Sequence, residues 1–475
     1  MDKMNIIFGT DGWRGLIDKE VNEETISIAA QAFADYLNSN FNDPTAAIGF
    51  DGRKYSEEFA KIFAEVLSGN NIKVFLSKSI TPTPVLSYFV KASSLSAGVE
   101  ITASHNPPEY NGVKFKAGYG GPFFTEETHK VEKLIGKSKI IRSEKNIIWT
   151  EFLSIYLEQI ESLIDFDAIS NSNIKILVDS MSGAGESLIQ NILRKHEIKC
   201  DTIFENADSN FCGRLAEPIE KNLIPLKKKL VEEKIYSMGL ATDGDADRLG
   251  VLLEDGEWLS AQETITLLAD YLINKKKLTG HLVKTSSVTN KLEHYFNSVE
   301  RKIFEVQVGF KYICEKMVEE DVVFGCEESG GYGYKNHIPE RDGILSAFFL
   351  IEMLAKSSFN KLSEYLKEKR KIFGDIFYDR IDAKFESEKS LKVLCEMKDN
   401  SPSKLNNFEI SDRKYFLNSR GIVNGIKYIL ENNTRWLLLR VSETEPLVRI
   451  YAEGQSKDEV QKLIETGLEI FNKEK

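Results

Sequence analysis

The stretch Thr102-Ala103-Ser104-His105-Asn106-Pro107-Pro108-Glu109-Tyr110-Asn111-Gly112-Val113-Lys114 gathers a hydroxyl, an imidazole and an ammonium in one polar segment. A serine hydroxyl attacks well only when a neighbouring group takes its proton. His105 is adjacent, and Lys114 lies ten residues on. The segment follows the strand Ala97 to Ile101, and the C-terminal ends of strands are where open α/β sheets bind ligands. The same Ser, Asn and Pro residues also compose a capped turn. No G-x-S-x-G elbow occurs in the chain, which disfavours a serine hydrolase.

A second cluster, Asp243-Gly244-Asp245-Ala246-Asp247-Arg248, lies between the apolar runs Met238 to Ala241 and Leu249 to Leu253. Three carboxylates at alternate positions suit a hard, oxygen-seeking cation. Without one they repel, which weighs against a simple solvated turn. Asp243, Asp245, Asp247 and Glu254 match EF-hand positions one, three, five and twelve, but Arg248 stands where that loop needs glycine, and strand-like runs flank it. Mg²⁺ with open positions for phosphate oxygen and water fits better.

Gly325-Cys326-Glu327-Glu328-Ser329-Gly330-Gly331 follows the run Val322 to Phe324, with His337-Ile338-Pro339-Glu340-Arg341-Asp342-Gly343 downstream. Glu and Ser side chains bind sugar hydroxyls, and glycines admit a ligand close to the backbone; a structural Gly-rich turn is the alternative. Arg440-Val441-Ser442-Glu443-Thr444-Glu445-Pro446-Leu447-Val448-Arg449 offers two arginines and two hydroxyls around a tight loop, a phosphate clamp or a charged hairpin. Gly183-Ala184-Gly185 lacks a full G-x-G-x-x-G fingerprint and reads as structural. His129, His196, His281 and His294 show no metal-ligand spacing.

Positioning these groups requires a scaffold. Ala46 to Phe50, Ile72 to Leu76, Ala97 to Ile101, Ile174 to Val178, Met238 to Ala241 and Val322 to Phe324 read as strands. Helical spacing over 22–39 places Ile26, Ala29, Ala30, Phe33 and Leu37 on one face, and Ser56 is expected to cap a helix over 56–68. The alternation predicts mixed or parallel sheets with helices on their faces. After about residue 374 the pattern changes. Gly425 to Leu430 and Trp436 to Val441 flank an Asn432-Asn433 turn, and a strand over Leu447 to Ala452 precedes a terminal helix, which predicts a separate α+β domain. Charge-rich stretches near 138–148, 255–262 and 369–385 mark boundaries.

The 475 residues are 42% hydrophobic and 28% charged, so disordered and fibrous classes are excluded. A net charge of −11 lacks the surplus cation that a nucleic-acid binder needs. Five scattered cysteines without a C-x-x-C pair read as reduced thiols. With no signal-like or membrane-length apolar segment, the expectation is a soluble, cytoplasmic protein with neither nucleic-acid nor membrane partners.

Together with the opening Phe8-Gly9-Thr10-Asp11-Gly12-Trp13-Arg14-Gly15, the four clusters in this order resemble the α-D-phosphohexomutase superfamily over nearly the whole chain. The resemblance implies three related α/β domains with mixed sheets plus a C-terminal α+β, TATA-box-binding-protein-like domain around a central cleft. The expected spans are 1–147 with the serine loop, 148–258 with the metal loop, 259–373 with the sugar loop and 374–475 with the phosphate loop. It implies that Ser104 is carried as phosphoserine and shifts phosphate between the 1 and 6 positions of a hexose through a 1,6-bisphosphate. Such an enzyme is an intramolecular phosphotransferase, an isomerase. Asp243, Asp245, Asp247 and the phosphorylated Ser104 would hold one Mg²⁺ per chain, with Arg14, Lys114 and Arg248 around the transferring group. His105 and Lys114 would serve as acid/base groups, a lysine base needing a depressed pKa. Lys284, Gly309, Glu327 and Ser329 are expected to contact the sugar, and Arg440, Ser442, Thr444 and Arg449 the other phosphate.

The form Glu327-Glu328-Ser329-Gly330-Gly331 resembles glucose-preferring members, so the expected reaction interconverts glucose 1-phosphate and glucose 6-phosphate with glucose 1,6-bisphosphate as intermediate and activator. The alternatives are a phosphomannomutase, a phosphoglucosamine mutase, dual glucose and mannose specificity, or a non-catalytic phosphosugar-binding protein. Partners are small hexose phosphates, and the chain is expected to be a monomer or homodimer. Three positions depart from the family pattern: Glu443 for a small or amide residue, Cys326 for glycine, and Phe310 where some members have histidine.

Overall fold

Strands buried on both faces favour apolar residues throughout, and Ala97–Ile101 is buried at every residue, Glu100 included. A computed structural model describes residues 6–9, 11–418, 421–442 and 446–472. The chain forms two units, Met1–Val283 with Gly309–Glu368, and Lys284–Val308 with Lys369–Lys475.

In the first unit, β1 (Trp13–Leu16), β2 (Thr45–Phe50), β3 (Lys73–Ser77), β4 (Ala97–Ile101), β5 (Tyr110–Ala117) and β6 (Ile147–Thr150) make a sheet of order β1-β5-β4-β2-β3-β6. β4 runs parallel to β2 on one side and antiparallel to β5 on the other. Period-two alternation then divides β5. Val113 and Phe115 enter the apolar core, where Phe115 stacks on Phe33 at 4.2 Å between ring centroids. Lys114 and Lys116 take the opposite face, and both are fully buried.

A second sheet repeats the plan. β7 (Ile176–Asp179), β8 (Cys200–Ile203), β9 (Met238–Thr242), β10 (Leu249–Leu253) and β11 (Trp258–Leu259) take the order β11-β10-β9-β7-β8, with β9 parallel to β7 and antiparallel to β10. β12 (His281–Thr285) and β13 (Ile303–Val306) follow, and β14 (Val322–Cys326) pairs antiparallel with β15 (Tyr332–Tyr334). The serine, metal and sugar segments are therefore the loops of the β4–β5, β9–β10 and β14–β15 hairpins.

The helix over Glu23–Asn40 starts at Asn22, which forms a capping box with Thr25. The expected cap at Ser56 is corrected. Tyr55, in a left-handed conformation, precedes the helix Ser56–Gly69, and the Ser56 hydroxyl donates to Asp51 Oδ1 at 2.7 Å. That side chain is committed to the serine loop's support and not to the helix end.

In the second unit, β16 (Phe377–Lys384), β17 (Lys404–Leu405), β18 (Phe408–Leu417), β19 (Val423–Leu430), β20 (Arg435–Val441) and β21 (Leu447–Gly454) form an antiparallel sheet of order β16-β21-β20-β19-β18-β17. Val393 and Leu394 of one helix and Leu463 and Ile464 of the last pack with Ile426, Leu437, Leu439 and Ile450 in one core. The expected Asn432-Asn433 hairpin is present, with Glu431, Asn432 and Asn433 all left-handed. All five cysteines are free. No helix among the described residues is long and apolar enough to cross a membrane.

Candidate active site

The hairpins bring the chemistry-bearing groups of the first unit together. β4 and β5 pair through Ile101 and Val113, so the intervening loop projects from the end of the sheet and places Ser104 there. The Ser104 hydroxyl donates to Asp243 Oδ2 at 3.2 Å and lies 3.3 Å from His105 Nδ1. Gly244 makes this approach possible, because a Cβ on it would stand 2.3 Å from the Ser104 carbonyl oxygen. Gly183 lies against the same loop: a Cβ there would stand 2.8 Å from the Asp243 and Gly244 carbonyl oxygens. The glycine-rich turn at 183–185 thus packs against the metal loop.

Asp243, Asp245 and Asp247 are buried, with one carboxylate oxygen of each within 4.8 Å of the others. Thr83 donates to Asp245 Oδ2 at 2.6 Å, and Lys114 Nζ donates to Asp245 at 2.6 Å and Asp247 at 2.9 Å. Asp245 Oδ1 and Asp247 Oδ1 are buried with no hydrogen-bond partner. Buried carboxylate oxygens ordinarily find partners, so two orphaned oxygens in a converging acidic trio fit a hard divalent cation such as Mg²⁺.

The surrounding charges set protonation. Burial, together with the neighbouring Asp247 and Asp245, pushes Asp243 well above the usual carboxylate range, whereas for Asp245 burial is opposed by Lys114, the Thr83 hydroxyl and Arg341, which together hold it below that range. Burial lowers the Lys114 ammonium, but Asp11, Asp245 and Asp247 more than offset it, so its pKa is raised. A raised pKa favours Lys114 as a charged donor over a lysine base. His105 is pushed well below the ordinary imidazole range, by burial first and then by Arg248, Arg14 and Lys114. It is neutral near pH 7.

Arg14 Nη1 donates to Asn106 Oδ1 at 2.8 Å, and the Arg248 backbone N–H donates to Asp243 Oδ1 at 3.1 Å. The sugar loop joins the metal loop through its backbone: Arg248 bridges Gly331, and Leu249 N–H donates to Gly330 O at 2.9 Å. Glu327 Oε1 accepts from Ser329 Oγ at 2.6 Å and from Arg341 Nη1 at 3.2 Å. Cys326 Sγ donates to Val283 O at 3.6 Å, so the residue that replaces glycine is accommodated inside β14.

Sequence reasoning missed Arg341 and Asp11 as members of this site. Arg341 bridges Asp11, Asp247 and Glu327, and its guanidinium lies over the Phe310 ring at 5.5 Å. A signal was present, since Arg341 lies in the segment after the sugar loop and Asp11 in the opening motif, but only folding unites them. Lys116 and Glu340, both inaccessible, pair at 2.6 Å. Lys116→Met should destabilise the chain by about 3 kcal/mol, because it removes the nearer cation of a buried carboxylate and leaves only Arg341 at 3.7 Å. Denaturant unfolding checks this, and adding Glu340→Gln should recover part of the loss.

Gly309 lies in the first unit as N-cap of the helix Phe310–Glu319, with φ +133. Lys284 belongs to the second unit. It is fully buried, and its ammonium donates to Val288 O, Thr289 O, Asn290 Oδ1 and Glu293 Oε2. Its ammonium is thus held by the turn that follows β12. Arg440 and Arg449 are directly paired across β20 and β21, and opposed residues share a sheet face, an arrangement that suits an anion. Arg449 Nε also lies 3.4 Å from Asp382. The Ser442 N–H donates to Leu447 O at 3.0 Å. Thr444 and Glu443 lie outside the described residues.

Sequence profiles of phosphoglucomutase/phosphomannomutase match four segments. They are the alpha/beta/alpha domains I, II and III at residues 5–141, 154–256 and 260–373, and the C-terminal domain at 386–468. The crystal structure of a Thermus thermophilus protein designated a candidate phosphomannomutase superposes with a TM-score of 0.84 at 33% identity, covering 98% of this chain and 99% of that one. A Thermococcus kodakarensis phosphoglucomutase/phosphomannomutase is 28% identical, over 98% of this chain and 99% of its own length. A Sulfurisphaera tokodaii phosphoglucosamine/phosphogalactosamine mutase is 28% identical, over 97% and 98%.

Proposed function

Because the chain belongs to the phosphoglucomutase/phosphomannomutase family, we propose that it moves a phosphoryl group between the 1 and 6 positions of a hexose through a phosphoserine at Ser104. The observation that carries this reading is the Ser104 hydroxyl 3.2 Å from Asp243 within the buried aspartate trio.

In the proposed cycle the Ser104–phosphate bond breaks as a sugar hydroxyl oxygen bonds to phosphorus. The hydroxyl's proton leaves and the serine oxygen regains one. The bisphosphate so formed turns over and returns its other phosphate to serine. His105, a neutral imidazole beside Ser104 Oγ, exchanges the proton. Lys114, Arg14 and Arg248 stabilise charge on the transferring oxygens as fixed donors in a buried site. Asp243, Asp245 and Asp247 would hold Mg²⁺ with the serine phosphate, and the ion, when bound, supplies positive charge to the phosphoryl oxygens.

Glucose is the proposed hexose, on the strength of the Glu327-to-Gly331 form, with glucose 1,6-bisphosphate as intermediate. Glucosamine is the second reading, favoured by the similarity to the Sulfurisphaera tokodaii mutase. Assays with the 1-phosphates of glucose, mannose and glucosamine, run with Mg²⁺ and the matching bisphosphate, test both. The highest kcat/KM for glucose supports the first reading, and preference for glucosamine replaces it with the second. Glu327→Gln should change the ratio of kcat/KM between these sugars by about tenfold, the scale of one or two hydroxyl contacts. An unchanged ratio would remove Glu327 as selector.

A further inference from the structure

Ser104 has a left-handed backbone with φ +53, a state that residues with a Cβ avoid. The contacts that hold it there centre on Arg53, whose side chain is fully buried. Arg53 Nη2 donates to Ser104 O at 2.5 Å and to Asn106 O at 2.6 Å, and Nη1 donates to Pro107 O at 2.7 Å and to Tyr110 O at 3.0 Å. Four carbonyls of one loop thus converge on one guanidinium. Nε lies 3.2 Å from Asp51 Oδ2. Asp51 accepts from Thr102 Oγ1 at 2.6 Å, and Thr102 Oγ1 accepts the Ser104 N–H at 2.8 Å. The backbone of Ser104 is therefore held from both sides, its N–H by Thr102 and its C=O by Arg53.

The guanidinium face lies 4.7 Å from the centroid of the Phe211 ring. That ring also flanks the metal loop, since a Cβ on Gly244 would stand 3.4 Å from Phe211 Cζ. One cation thus touches the support of both loops.

We propose that Arg53 is a positioning residue for phosphoryl transfer: its planar fork fixes the Ser104 backbone, and its stacking on Phe211 registers that backbone against the metal loop. Lysine cannot replace it, because a point charge lacks the fork that reaches four acceptors. The proposal rests on Ser104 carrying the phosphoryl group. Arg53 touches none of the residues assigned to the sugar, so its loss should act on alignment and leave binding alone, lowering kcat with KM unchanged.

The test measures kcat and KM for glucose 1-phosphate in Arg53→Lys, alongside Thr102→Val and Thr102→Ser, with intact mass to follow phosphate on Ser104. Arg53→Lys should lose about a hundredfold in kcat, the scale of a displacement of roughly 1 Å at a reacting group. Thr102→Val should show a smaller fall of the same kind, and Thr102→Ser, which keeps the hydroxyl, should restore the rate. A normal kcat in either Arg53→Lys or Thr102→Val, or a loss confined to KM, overturns the proposal. If Arg53→Lys fails to fold, the Thr102 pair decides alone. Failure of the underlying reading is distinct: Ser104→Ala would then keep turnover and the wild type would carry no phosphoserine.

Discussion

Ser104→Ala should reduce mutase turnover by about 10⁴-fold or more, the scale on which removing an enzyme's nucleophile acts. Intact mass should find one phosphoryl group on the active wild-type enzyme and none on the variant. The variant should fold normally. The backbone at 104 is held by Thr102 and Arg53 through peptide groups that alanine also has, and the lost side-chain contacts are two long hydrogen bonds, to Asp243 and His105. Loss of activity with an unchanged melting transition separates chemistry from folding. Turnover comparable to wild type in the alanine variant would end the phosphoserine mechanism.

Chelation should abolish turnover and added Mg²⁺ should restore it, while Asp245→Ala stays impaired at saturating metal. Charge stabilisation by a bound divalent ion contributes several kcal/mol to such a transition state, so the loss should be about 10³-fold or greater. Asp245 has a second role, as partner of Lys114 at 2.6 Å and acceptor from Thr83. Asp245→Asn separates the two. It keeps the side chain's shape and its hydrogen bond from Thr83 but removes the charge, so it should match the alanine variant in lost rate while remaining better folded. Turnover that survives chelation would reject the aspartate trio as a metal site.

The strands and the site differed in how far local sequence could reveal them. Ala97 to Ile101 was legible because Ala97, Val99 and Ile101 mark a buried strand, although the equally buried Glu100 interrupts the apolar run. Asp243, Asp245 and Asp247 were legible because their clustering is itself local. Arg53 was not: its four acceptors lie more than fifty residues along the chain, and nothing in helical or strand periodicity marks a side chain that bonds distant carbonyls. Arg341 was hidden for the same reason, since its partner Asp11 belongs to the opposite end of the first unit's sequence. Ser56 shows the reverse error. Residue type favours a helix cap, but the nearby Asp51 carboxylate takes its hydroxyl instead. Lys284 sits in a recognisable motif, yet the acceptors that saturate it come from the turn that follows, which the motif does not encode.

The backbone bridge between the sugar and metal loops bears on how specificity can be exchanged among such enzymes. Gly330 is left-handed, and a Cβ on it would stand 2.5 Å from the Leu249 carbonyl oxygen. A donor segment with a bulkier residue at 330 would press on the strand that leaves the metal loop. In a chimaera, the two loops are therefore inherited jointly: crossover points that separate residues 243–249 from 327–331 break a matched pair, whereas crossovers outside both hairpins transplant it whole.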